Sequence, residues 1–241
     1  MVFEGFGASR RAVISGSIAL LAGGSGSACL WGQAAAVEAD KPVRGAGPGI
    51  DLDTSRGNSA KIDGFRQARF GMTEVQLRQA IKLDFPALGD RIARSTNPKE
   101  KTAILSITAD DLLPDVGSAR IFYILGYKSK ALVQINIVWS SDGKTGARDE
   151  AIVATANSLR DYFLAEFQDS PSIVVNRQIA DNAIIVFRVE QADGRMLLLA
   201  LNGIAAASNS DQKSTTPLTL EISYIRNHLH PDIFQIESGK F

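Results

Sequence analysis

The chain has 241 residues, of which 45% are hydrophobic and 22% charged, with Lys+Arg and Asp+Glu balanced at 26 each. This composition excludes wholesale disorder, and the zero net charge removes any general electrostatic pull toward nucleic acid or anionic lipid. The single cysteine, Cys29, lies near the N-terminus, so the chain beyond it holds no disulfide, thiolate zinc site, iron–sulfur cluster or cysteine nucleophile.

The opening residues read as an export address. Between Arg11 and Glu38 no residue is charged, but Ser15, Gly16, Ser17 and the Gly23–Ser27 run interrupt the interval. The apolar run Ile18–Ala22 is too short to span a bilayer. A basic start, a modest apolar stretch and small residues near the end predict a cleavable signal peptide over 1–39. Cleavage is expected after Ala39, with Ala36 as the competing site. Ser9-Arg10-Arg11-Ala12-Val13-Ile14 resembles the twin-arginine export signal, with Arg10 and Arg11 as the paired arginines. A lipoprotein signal at Cys29 is disfavoured, because Gly26 stands where leucine is normally required. The expected location of the mature protein is the bacterial periplasm, with no stable membrane span once the signal is removed.

Residues 40–62 are rich in Gly, Pro, Ser and charge, and they predict a flexible linker. The glycine string Gly45–Gly49 has no preceding strand and is broken by Pro48, so it is not a phosphate loop. A single α+β domain is expected over 63–241, with order beginning near Phe65. Thr73-Glu74-Val75-Gln76 is a capping-box pattern. Leu77, Ala80, Ile81 and Phe85 follow at helical spacing, and Pro86 closes the helix. "TAILSIT" predicts a strand, and "SARIFYILGYKSKALVQINIVW" predicts two more joined by a turn at Gly126–Ser129. In the second of these, Val133, Ile135, Ile137 and Trp139 alternate with Gln134, Asn136 and Val138, a pattern for one buried face.

A second helix is expected after "SSDGKTG", with Ile152, Ala156, Leu159, Phe163 and Phe167 on one face. "SIVVNR", "NAIIVFRVE" and "RMLLLAL" read as strands, the last two joined by a hairpin at Ala192-Asp193-Gly194. "AAASNSDQKSTTP" reads as a loop and "PLTLEISYI" as the closing strand. Short turns between strands favour antiparallel pairing. The expected fold is a mainly antiparallel sheet with two helices on one face. With three strands counted after each helix and "PLTLEISYI" as an additional closing strand, the order suggests a duplicated α-β-β-β unit.

The Phe70-Gly71-Met72-Thr73-Glu74-Val75-Gln76-Leu77 stretch resembles the helix opening of the BamE (SmpA/OmlA) family of bacterial envelope domains. "GFRQARFGM" (64–72) and "GYKSK" (126–130) are similar to segments of uncharacterised exported proteins of alphaproteobacteria. The first resemblance implies a protein-binding envelope module. The second implies no activity.

Chemistry-bearing residues are few. His228 and His230 alternate in "RNHLHPD", so on an extended chain both imidazoles face one side, with Asp232 as a third metal ligand. The competing reading is a polar strand end closed by Pro231, and no distant His or Cys exists to complete the coordination sphere. Asp110, Asp111 and Asp115 form an acidic cluster without calcium-loop spacing, and Leu112-Leu113 read as an apolar plug within it. Tyr127, Lys128 and Lys130 form a candidate partner-binding hairpin tip. No nucleophile elbow, Walker loop or zinc-protease motif occurs, and no cofactor is expected. These features favour a non-catalytic periplasmic protein that binds another envelope protein or assists its assembly. The alternatives are a metal-dependent or hydrolytic enzyme centred on His228 and His230, and a small-ligand carrier using the groove between sheet and helices.

Overall fold

The computed structural model describes residues 60–110, 112–141, 148–204 and 217–236. The signal peptide, most of the linker, Asp111 and residues 205–216 of the "AAASNSDQKSTTP" loop fall outside the described residues. Two α-helices and ten strands are present among those described. A two-residue hairpin, β1 (Gly64–Phe65) and β2 (Ala68–Arg69), precedes α1 (Glu74–Asp84). Four strands follow: β3 (Ala93–Thr96), β4 (Ala103–Ala109), β5 (Ala119–Leu125) and β6 (Leu132–Ser140). The second helix, α2 (Asp149–Glu166), then leads into β7 (Ile173–Ala180), β8 (Ala183–Glu190), β9 (Met196–Asn202) and β10 (Thr219–Ile225).

Strands β3 to β10 make one antiparallel sheet in the order β3-β4-β5-β6-β10-β9-β8-β7. The repeated unit is therefore a helix and four strands, not three. Each unit is a meander, and the two meet through their last strands, β6 and β10. The strand missing from the sequence expectation is β3, "ARST", whose residues are all exposed and show no apolar alternation. Such an edge strand is stabilised by its ladder to β4, which composition does not reveal.

Local signals explain the helix ends. The side chain of Thr73 accepts from the Gln76 N–H, and the Gln76 side chain accepts from the Thr73 N–H, completing the capping box that opens α1. Leu77, Ala80 and Ile81 are the buried face. Pro86 ends the helix and starts a short 3-10 turn, Pro86–Leu88. On α2, Ile152, Ala156 and Phe163 are buried, and Phe167 closes the face at the C-cap.

Leu77 and Ile81 of α1 and Ile152, Ala156, Phe163 and Phe167 of α2 and its C-cap join the same continuous cluster on one face of the sheet. Its central row runs Ile107, Ile121, Ile137, Ile222, Leu199 and Phe187 across six adjacent strands. Val133 does not join it. The register shift beside Leu125 places Leu132 in the core, ahead of Ile135, Ile137 and Trp139. A bulge of this kind inverts the alternation on one side of it.

The expectation of a single buried face is corrected by the opposite side. Asn136, Val138, Ser140, Thr219, Glu221 and Ser223 are all buried there, and Ile185, Met196, Leu198 and Ala200 form a second, smaller apolar cluster. No described helix packs against this second face. The chain also docks earlier than Phe65: Ile62 is buried, and Gln191 bonds both the Ile62 N–H and the Ala60 carbonyl.

Candidate functional site

Two regions gather chemistry-bearing side chains. The first is the end of the sheet crossed by the C-terminal segment 226–236. This segment runs like a strap over three strand connections. The His228 N–H donates to the Gly194 carbonyl, the Tyr127 N–H to the Asp232 carbonyl, and the Phe234 N–H to the Glu100 carbonyl. The Asp232 carboxylate accepts the N–H groups of Lys128 (2.8 Å) and Ser129 (2.9 Å). Burial pushes its carboxyl up, but the hydrogen bonds from Ser129 and Lys128 outweigh that and hold it below the ordinary value. Gly126 forms the cradle, since a Cβ there would collide with the Asp232 carboxylate and the Ser129 hydroxyl.

The three residues read as metal ligands are thus distributed. Asp232 is committed to the Tyr127–Lys130 turn. The side chain of His228 is buried, with Nε2 3.6 Å from Glu190 Oε2. The other Glu190 oxygen lies 3.2 Å from Arg188 Nε without hydrogen-bond geometry. His230 is exposed, and its N–H is taken by the Asn227 side chain, which also caps the Leu229 N–H. That turn breaks the extended course on which the shared face for both imidazoles depended. Among the described residues no group of three or more His, Cys, Asp or Glu is placed to hold a metal ion.

Tyr127, Lys128 and Lys130 do come together. Lys130 Nζ sits 5.0 Å from the centre of the Tyr127 ring, which packs edge-on against Phe234 at 5.4 Å. Both lysines are exposed, as are Leu229, Phe234 and Ile236 of the strap. Of the acids read from "ADDLLPD", Asp111 lies outside the described residues. Asp110 accepts from Ser118, Asp115 is exposed, and Leu112 and Leu113 pack on the core as the expected plug.

The second region is the sheet face away from the helices. One row there reads Thr108, Arg120, Val138, Glu221, Ala200 and Ile185. Glu221 is 2% exposed, and its hydrogen-bond donor is the Ser223 hydroxyl at 3.2 Å. Burial pushes its carboxyl up to about 7, against a smaller opposing effect of that hydrogen bond. Glu221 alternates with Leu220 and Ile222 along β10, which face the helices, so it lies on the other side of the strand. Its burial follows from the second face, which alternation does not report. Nearer the β3 edge the face is accessible. Arg91, Ala93, Ser106, Thr108, Arg120 and Phe122 line a groove with a volume of about 300 Å³.

No family model, no curated protein and no solved structure matches this chain.

Proposed function

We propose that the protein is an exported, non-catalytic binding protein of the bacterial envelope, and that it contacts a partner protein through the strapped end of the sheet. The observation that carries this reading is the pairing of an ordered turn with exposed apolar side chains. Asp232 and the strap hydrogen bonds fix Tyr127, Lys128 and Lys130 in place, Phe234 packs on Tyr127, and Leu229, Phe234 and Ile236 of the same strap stay open to solvent. Rigid presentation of aromatic and aliphatic groups with a basic rim lowers the ordering cost of association. It suits a partner that offers an apolar patch with acidic neighbours. The paired arginines, Arg10 and Arg11, support export of a protein that folds before it crosses the membrane, and they add weight to a partner as the reason.

The test is site-specific photocrosslinking in cells that make the protein. A benzophenone side chain at Lys128 or Leu229 is expected to give one discrete adduct. The same probe at Leu83, exposed on α1, should give none. Adducts of equal yield from all three positions, or from none, would remove the proposed surface. Arg10→Lys with Arg11→Lys is expected to leave the protein in the cytoplasm, as read by cell fractionation.

A further inference from the structure

We propose that the groove across β3, β4 and β5, on the face away from the helices, binds a small aromatic carboxylate. This site is separate from the strapped end and does not depend on the partner reading. Strand alternation builds it. Leu105, Ile107 and Ala109 face the helices, so Ser106 and Thr108 face the groove; Ile121 and Tyr123 do the same for Arg120 and Phe122. Ser106 stands between Ala93 and Phe122 in the ladder, and Thr108 is paired with Arg120.

Arg120 has no carboxylate partner among the described residues. The contact that orients it is the Phe122 ring, 5.9 Å from its guanidinium carbon. Arg91 donates to the carbonyls of Leu88 (3.2 Å) and Ala87 (2.8 Å), bonds that fix its position without neutralising it. The Ser106 and Thr108 hydroxyls have no hydrogen-bond partner among the described residues. A free guanidinium fork, two free hydroxyls and a second fixed cation match one planar carboxylate, which accepts two parallel N–H bonds and a hydroxyl. Phe122 supplies a flat apolar wall for a ring attached to that carboxylate.

Two features select against a phosphate dianion. Only one guanidinium is free to rotate toward the ligand. Asp110, two residues beyond Thr108 and held by Ser118 at 2.6 Å, adds a negative charge beside the groove. The volume of about 300 Å³ sits at the small end of ligand pockets and is enough for a single ring with its carboxylate.

The experiment uses the purified full chain and 4-fluorobenzoate, followed by ¹⁹F NMR. Saturable binding is expected, about tenfold weaker in Arg120→Gln and intermediate in Arg120→Lys, which keeps the charge but loses the fork. 4-Fluorobenzyl alcohol, with the same ring and no charge, should bind about tenfold more weakly than the acid. Because Arg120 makes no internal ion pair, both variants should keep the wild-type circular dichroism spectrum and melting temperature. Any of three results overturns the assignment: no saturable binding, equal binding by Arg120→Gln or by the alcohol, or displacement of the probe by inorganic phosphate at equal concentration.

Discussion

Glu221 is the residue whose environment departs furthest from what its chemistry prefers. A carboxylate placed between Val138 and Ala200, with one neutral hydroxyl donor, loses its hydration without gaining a cation. Arg120 lies in the same row but two strands away, beyond Val138. Because the folded value of about 7 lies above the ordinary 4.5, the associated stability is fully present below pH 4.5 and is lost as pH rises to about 7. The rise corresponds to about 3 kcal/mol. Urea midpoints of the wild type are therefore expected to fall between pH 5 and pH 8. Glu221→Gln keeps the acceptor for Ser223 and removes the ionisation, so it should flatten this fall and be the more stable protein at pH 8. Identical pH profiles for the two proteins would show that Glu221 is not the titrating group.

At the scale of elements, the helices and β5 were legible from their repeating apolar period, β9 from its continuous apolar run, and β4, β6, β7, β8 and β10 from their runs of β-branched and apolar residues between turn signals. Thr73 and Gln76 announce α1, and Leu77, Ala80 and Ile81 repeat at helical spacing behind them. β3 was not legible, because its four exposed residues owe their extended state to the neighbouring β4. The strap's contacts were not legible for a related reason. His228, His230 and Asp232 are close in sequence, but their partners are Glu190, solvent, and the Tyr127–Lys130 turn. Contacts that distant leave no local pattern. The cradle makes a testable element. Gly126→Ala drives a methyl group into the Asp232 carboxylate, and Asp232→Ala removes both of its backbone hydrogen bonds. Each substitution should increase amide hydrogen exchange in segments 126–131 and 226–236 and leave α2 unchanged. The double variant should add little to either single one, since both break the same contact. Additive effects would mean that Gly126 and Asp232 act separately.

At the scale of the molecule, the question is whether two helix-and-four-strand units joined edge to edge behave as one body. Within each unit the strands pair with their sequence neighbours, so most ladders close short loops. The β6–β10 seam is different: it joins the ends of the two units through seven paired residues, from Thr219–Ser140 to Ile225–Gln134. The apolar row from Ile107 to Phe187 crosses that seam without interruption, and Ile137 and Ile222 face each other at its centre, both buried. Neither unit can expose its half of the row without exposing the other's. Unfolding is therefore expected to be a single transition, with far-ultraviolet circular dichroism and Trp139 fluorescence, isolated by Trp31→Phe, giving coincident curves. Ile222→Ala should cost about 2–5 kcal/mol and shift both curves together, because the cavity it leaves borders both units. If the curves separate in the variant, or if one half of the chain keeps its exchange protection while the other loses it, the units are independent and the seam is only a contact between them.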